Sequence, residues 1–203
     1  MFFDKFYIPL NFPIFKMRFS GIEIRDLLKA WFAISLAFAI VFRNLFPNSF
    51  VYTFLLCSVT VGLAFLLHEI AHKAVAQKYG HYSEFRSFDH MLVLAIFMSF
   101  FGFVFAAPGG VMIKGLLNRQ ENGKISLAGP LTNLLLAILF FIILKLSLSN
   151  PINTVASFGF MINRLLAIFN MIPFGPFDGA KVLRWNKLIY VVVVVILVSL
   201  FFV

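Results

Sequence analysis

The chain has 203 residues, 62% of them hydrophobic and only 12% charged, with 29 phenylalanines and a mean hydropathy of +0.97. A water-soluble domain cannot hide that much apolar surface, so composition excludes the soluble classes and leaves an all-α polytopic membrane protein embedded in the lipid bilayer. The net charge of +9 is scattered between long apolar runs, which fits cytoplasmic loops obeying the positive-inside rule and argues against nucleic acid as a partner.

Residues 1–19 mix Phe, Tyr, Pro and bases without a sustained period and read as an interfacial or strand-like lead-in. Residues 1–29 lack the profile of a cleavable leader and are expected to precede a membrane-embedded domain over 30–203, with its core at 50–185. Ser20-Gly21-Ile22-Glu23 matches a capping box and predicts a helix from near Gly21 to about Phe46, whose apolar part, Ala30 to Phe42, is the first expected span. Pro47-Asn48-Ser49 reads as a turn, with Asn48 or Ser49 capping a second helix over Phe50 to Tyr79. The sole cysteine, Cys57, sits in that apolar run and has no partner for an internal disulfide.

A polar stretch over 81–90 follows, then the seventeen apolar residues Met91 to Ala107, closing on Pro108-Gly109-Gly110. Asn122-Gly123 carries a turn signal. The twenty uncharged residues Ile125 to Leu144 contain Pro130 near their start and Asn133, a polar group expected to face protein rather than lipid. Val155 to Ile172 is interrupted by Asn163, Arg164 and Asn170; Arg164 either lines the cavity and binds substrate backbone or, the favoured reading, faces the bundle and pairs with a carbonyl or with Asn163. The segment runs into Asn170 to Gly179, where two prolines and two glycines break the helix, and Leu188 to Val203 closes the sequence. The pattern predicts about five spanning helices, plus a re-entrant apolar segment or hairpin between the second and third.

The chemistry is concentrated in His68-Glu69-Ile70-Ala71-His72, which follows eighteen uncharged residues. On a helix, histidines at i and i+4 share a face, so both imidazoles reach one divalent ion while Glu69 stands beside it as a base. A catalytic zinc site of this kind needs a third protein ligand. Of the eight acidic residues, only Glu69 and Asp178 adjoin long apolar segments. His81 and His90 remain candidates in a charged loop, but Asp178, on irregular backbone next to an apolar helix, is the better one.

His68-Glu69-Ile70-Ala71-His72, Gly129-Pro130-Leu131-Thr132-Asn133, and Asn170 through Pro173, Pro176, Asp178 and Gly179 together resemble the site-2 protease family of intramembrane zinc metalloproteases. The resemblance covers residues 50 to 185. It implies a single Zn2+ held by His68, His72 and Asp178, with Glu69 activating water and a transmembrane protein as substrate. By the same resemblance Asn170 falls at the position of a polar group near the scissile bond, with Asn133 as a second candidate for contacting substrate or transition state. Ala71 stands where the family usually has glycine, and Phe177 where it usually has leucine.

Sharing one ion demands that His68 and Asp178 lie at equal depth, hence an even number of crossings between them. Met91 to Ala107 must then enter and leave on one side. With the N-terminus and the active-site end cytoplasmic, all 17 Lys and Arg except Arg43, Lys145 and Arg164 fall inside, as in a multi-pass protein of a prokaryotic plasma membrane. Two rival readings compete with intramembrane proteolysis: a non-catalytic membrane binding protein that retains a zinc site, and a metal transporter.

Overall fold

A computed structural model describes residues 7–11, 16–45, 49–104, 108–146 and 149–203. The expected turn at Pro47-Asn48 and the last three residues of the Met91 to Ala107 stretch lie outside these. The chain forms two units, one of residues up to Ser58 with Ala76–Gly115, the other of Val59–Val75 with Leu116–Val203.

In the first unit the lead-in is a hairpin of β1 (Tyr7–Asn11) and β2 (Lys16–Ser20), in line with the strand-like reading. Ser20 then caps α1 (Gly21–Val41), its hydroxyl accepting the Glu23 N–H at 3.1 Å. The capping box is only half made, because the Glu23 carboxylate accepts the Phe85 N–H at 2.9 Å instead. Asp26 accepts the Ser87 N–H at 3.4 Å, so two carboxylates of α1 cover the outer edge of β3 (Tyr82–Ser87). Residues 82–87, expected as solvated loop, are therefore strand, and Glu84 is buried against Ser20, Tyr82 and Arg86.

The partner of β3 is β4 (Gly109–Lys114), antiparallel, with Tyr82 opposite Lys114 and Ser87 opposite Gly109. Phe88 N donates to Pro108 O at 3.1 Å, so the segment between the strands begins and ends at one place. Within it α4 (Asp89–Ser99) has 11 residues, a length of about 17 Å against a hydrocarbon core of about 30 Å.

In the second unit Asn118 and Glu121 form a complete capping box that starts α5 at Arg119, and this helix runs to Lys145. The expected turn at Asn122-Gly123 is thus overturned: both residues lie inside α5, and Gly123 is there because a side chain would run into Trp185. After α6 (Asn150–Asn170), seven irregular residues lead to α7 (Asp178–Trp185) and α8 (Lys187–Ser199). Leu134, Ala167, Met171, Val182, Val193 and Leu197 form the core between these four helices. Arg164 is clasped at the end of α8, its guanidinium between the rings of Phe160 and Phe201 at 4.7 and 4.6 Å and donating to Leu200 O at 3.0 Å. It thus pairs with a carbonyl, and a cation is well placed at a helix C-terminus.

One long helix supplies residues to both units: α2 (Phe50–Cys57), a π turn at Ser58–Gly62, and α3 (Leu63–Lys78). Ser49 caps it, accepting the Tyr52 N–H at 3.1 Å. Among the described residues, three helices are long and apolar enough to cross a membrane: Phe50–Lys78, Arg119–Lys145 and Asn150–Asn170. The expected count of about five is not reached on this measure. The first turns of α1 carry Glu23, Arg25, Asp26 and Lys29, and α8 covers only 13 residues.

Candidate metal centre

Two stripes of residues, each stepping by four, build the site from antiparallel helices. On α3 the stripe is Ala64, His68 and His72; on α5 it is Asn133, Gly129 and Ile125. A step of four keeps residues on one helix face, so the stripes meet along their length. His72 Nδ1 lies 2.7 Å from Ile125 O, and His68 Nδ1 lies 2.6 Å from Asn133 Oδ1. Both contacts are to acceptor oxygens, so each imidazole carries its proton on Nδ1 and turns a bare Nε2 inward.

The two Nε2 atoms are 2.9 Å apart, with the rings edge to face. Asp178, the first residue of α7, brings Oδ2 to 3.4 Å from His68 Nε2 and 3.1 Å from His72 Nε2. All three residues are buried. Asp178 is the anionic member of the set.

Three lone pairs converging in a buried place repel one another unless a cation lies among them. Zinc held tetrahedrally at roughly 2.0–2.1 Å sets neighbouring ligand atoms about 3.3 Å apart, close to the separations here. Room for the ion comes from Gly129: a β-carbon at that position would strike both Nε2 atoms. Donor chemistry, spacing and cradle all fit zinc. Among the described residues, His68, His72 and Asp178 are the one group of three metal-binding side chains close enough to share an ion. His81 and His90 are not part of it; His90 is exposed at the start of α4, and His81 precedes β3.

Glu69 is 9% exposed, within electrostatic reach of His68, His72, Asp178 and Lys181. Asn170 ends α6, its amide nitrogen donating to Leu166 O at 2.9 Å. Asn133, expected as a candidate substrate contact, has its polar atoms engaged within the protein. It is fully buried, its oxygen faces His68, and its nitrogen donates to Ala64 O at 3.2 Å and Asn163 Oδ1 at 3.0 Å. Every amide hydrogen is used inside the protein, and the remaining oxygen is the partner of His68 Nδ1. The Ile125 carbonyl and Asn163 were not among the expected site residues; the four-residue stepping of Ile125, Gly129 and Asn133 is the signal that points to the first of them.

The chain is 44% identical over 179 residues to a Methanocaldococcus jannaschii protein named "Putative zinc metalloprotease MJ0611", spanning 87% of this chain and 91% of that one. It is 27% identical to the Zinc metalloprotease MJ0392 of the same organism across 86% of this chain but only 45% of that longer relative. A Bacillus subtilis protein named "Putative zinc metalloprotease YwhC" is 26% identical over 62% of this chain and 66% of its own length. No family model and no solved structure matches. With identity this high across nearly the whole of both proteins, and a buried His-His-Asp set that fits the metal, the chain belongs to the zinc metalloprotease family and has zinc as its cofactor.

Proposed function

We propose that this protein is an intramembrane zinc-dependent endopeptidase of the site-2 protease kind, hydrolysing peptide bonds within or near the transmembrane segments of other membrane proteins. The observation that carries this reading is the position of Glu69. It is a buried carboxylate next to the zinc-binding imidazoles, on a helix apolar enough to cross a membrane. A purely structural metal site has no use for such a base.

Zinc, when bound, lowers the pKa of a water toward about 7 and polarises the scissile carbonyl. Glu69 takes the proton from the attacking water and passes it to the departing amine nitrogen. By its resemblance to the family position near the scissile bond, Asn170 would offer its side-chain oxygen to an N–H of the unwound substrate backbone. A substrate helix must unwind because its carbonyls are otherwise engaged. In the two-stranded sheet β3 is already covered by α1, so β4 is the strand left to pair with extended substrate.

The topology that goes with this reading has α1 and α8 as additional spans, the 88–108 segment re-entrant, and the N-terminus and zinc site toward the cytoplasm of a prokaryotic cell. Cysteines introduced at residues 86, 114 and 150 in a Cys57→Ser background test it. Positions 86 and 114 should label with an impermeant maleimide from one side of the membrane and 150 from the other; labelling of 86 and 114 from opposite sides ends the re-entrant assignment.

Glu69→Gln tests the chemistry. Cleavage of a membrane-spanning substrate should fall about 10²–10⁴-fold, with zinc still bound. Cleavage that survives the change removes Glu69 as the base. Zinc flux into vesicles without proteolysis would instead favour a transporter.

A further inference from the structure

Behind Asn133 stands a second buried amide, Asn163 on α6, 0% exposed. Its nitrogen donates to Gly159 O, one turn earlier on the same helix, at 2.8 Å, and its oxygen accepts the Asn133 nitrogen at 3.0 Å. The chain of contacts therefore runs from Gly159 O through Asn163 and Asn133 to His68, and ends at the ring whose Nε2 faces Asp178.

This chain has a direction fixed at its far end. A backbone carbonyl can only accept, so the Asn163 NH₂ must face Gly159 and its oxygen must face Asn133. The Asn133 NH₂ then faces Asn163 Oδ1 and Ala64 O, both acceptors, which turns its own oxygen to His68. His68 must answer that oxygen with Nδ1–H, leaving Nε2 bare for the metal. Were Asn133 reversed, its oxygen would face two acceptors and its NH₂ would face His68 Nδ1, drawing the imidazole proton to Nε2 and closing the ligand position.

We infer that Asn163 is a positioning residue of the zinc site, acting through Asn133 to hold His68 in the tautomer that can bind the metal. The inference rests on the zinc site described above. Two buried amides are costly to desolvate and are balanced only while every hydrogen is placed. Without Asn163, Ala64 O alone opposes reversal of Asn133. Groups that orient a metal-binding histidine typically change metal affinity 10–100-fold when removed.

The alternative is that Asn163 merely packs α6 against α5, and two substitutions rank oppositely under the two accounts. Asn163→Leu keeps the volume and loses the acceptor; Asn163→Asp keeps the shape and the acceptor toward Asn133 and loses the amide donor to Gly159 O. Positioning predicts that zinc affinity of the purified full-length protein, measured by chelator competition, falls about 10–100-fold for Leu and stays within about threefold of the parent for Asp. It also predicts no further loss when Leu is combined with Asn133→Ala, because the effect travels through Asn133. The reverse ranking, or losses that add, overturns it.

Should the Leu variant fail to fold, the parent protein still decides. Its zinc-free form, ¹⁵N-labelled at histidine, should show neutral His68 protonated at Nδ1, and a proton at Nε2 overturns the relay. A parent that binds no zinc, or a His68→Ala protein that binds it undiminished, removes the metal site itself. A parent that binds zinc through His68 while Leu outranks Asp removes only the relay.

Discussion

Gly129→Ala should empty the site of zinc and abolish proteolysis while the protein remains folded. The added methyl would meet His68 Nε2, His68 Cε1 and His72 Nε2, the atoms that turn toward the metal. These rings cannot step aside, since His68 is held at Nδ1 by Asn133 and His72 by the Ile125 carbonyl. α5 cannot step back cheaply either, because Leu134 on it is part of the buried core with Ala167 and Met171. Overpacking of this kind costs about 1–3 kcal/mol, too little to unfold most domains but decisive for a ligand position. Zinc content by atomic absorption should drop below a tenth of the parent's, with the thermal transition of the zinc-free protein lowered by only a few degrees. Full zinc occupancy in the alanine variant would show that the ion lies on another side of the imidazole pair.

The ligand set was legible because its chemistry is scarce. In an apolar chain a histidine pair at i and i+4 and one acid beside broken backbone have few competitors, and the structure brings Nε2, Nε2 and Oδ2 within 3.4 Å of one another. What orients those ligands was not legible. Asn133 could be read as a polar group facing protein, but its partner depends on which face of α5 meets α3, and Asn163 matters only once α6 is known to lie behind it. Glu84 misled in the same way. It sits among charges in the sequence, yet it is buried, because the end of β2 supplies Ser20 and β3 supplies Tyr82 and Arg86 around it. Asn122-Gly123 carries the composition of a turn, but the capping box four residues earlier and the ring of Trp185 settle its place inside a helix. Local propensity is a weak prior where a tertiary neighbour needs the space.

The segment between β3 and β4 is the reverse case, in which a global constraint and the local signal point different ways. Seventeen apolar residues, taken alone, resemble a span. The requirement that His68 and Asp178 share an ion argued for an even number of crossings, and the pairing of Ser87 with Gly109 closes the segment on itself. Neither strand was evident as a strand from its own residues, since Gly109 and Gly110 open β4 and charges fill β3.

A second substitution, Gly179→Ala, should displace the third ligand rather than fill its cradle. Gly179 follows Asp178 in the first turn of α7, and a β-carbon there would strike the backbone of Met171 and Ile172 just beyond α6. That backbone has no room to yield: the Tyr190 hydroxyl donates to Met171 O at 2.9 Å, and the Met171 side chain is 1% exposed in the core. The start of α7 must move instead and carry Asp178 with it, even though Val182 anchors the next turn at 0% exposure. The imidazole pair on α3 is untouched, so the variant should resemble Asp178→Ala: zinc affinity reduced at least about 100-fold and proteolysis lost, with a further stability loss of about 1–3 kcal/mol that Asp178→Ala lacks. Cobalt substitution distinguishes the two glycine variants, since a two-histidine site still takes up Co²⁺ weakly, with altered visible absorption, whereas a filled cradle takes up none. A Gly179→Ala protein with the parent's zinc affinity and cobalt spectrum would mean that Asp178 does not depend on the close approach of α7 to Met171.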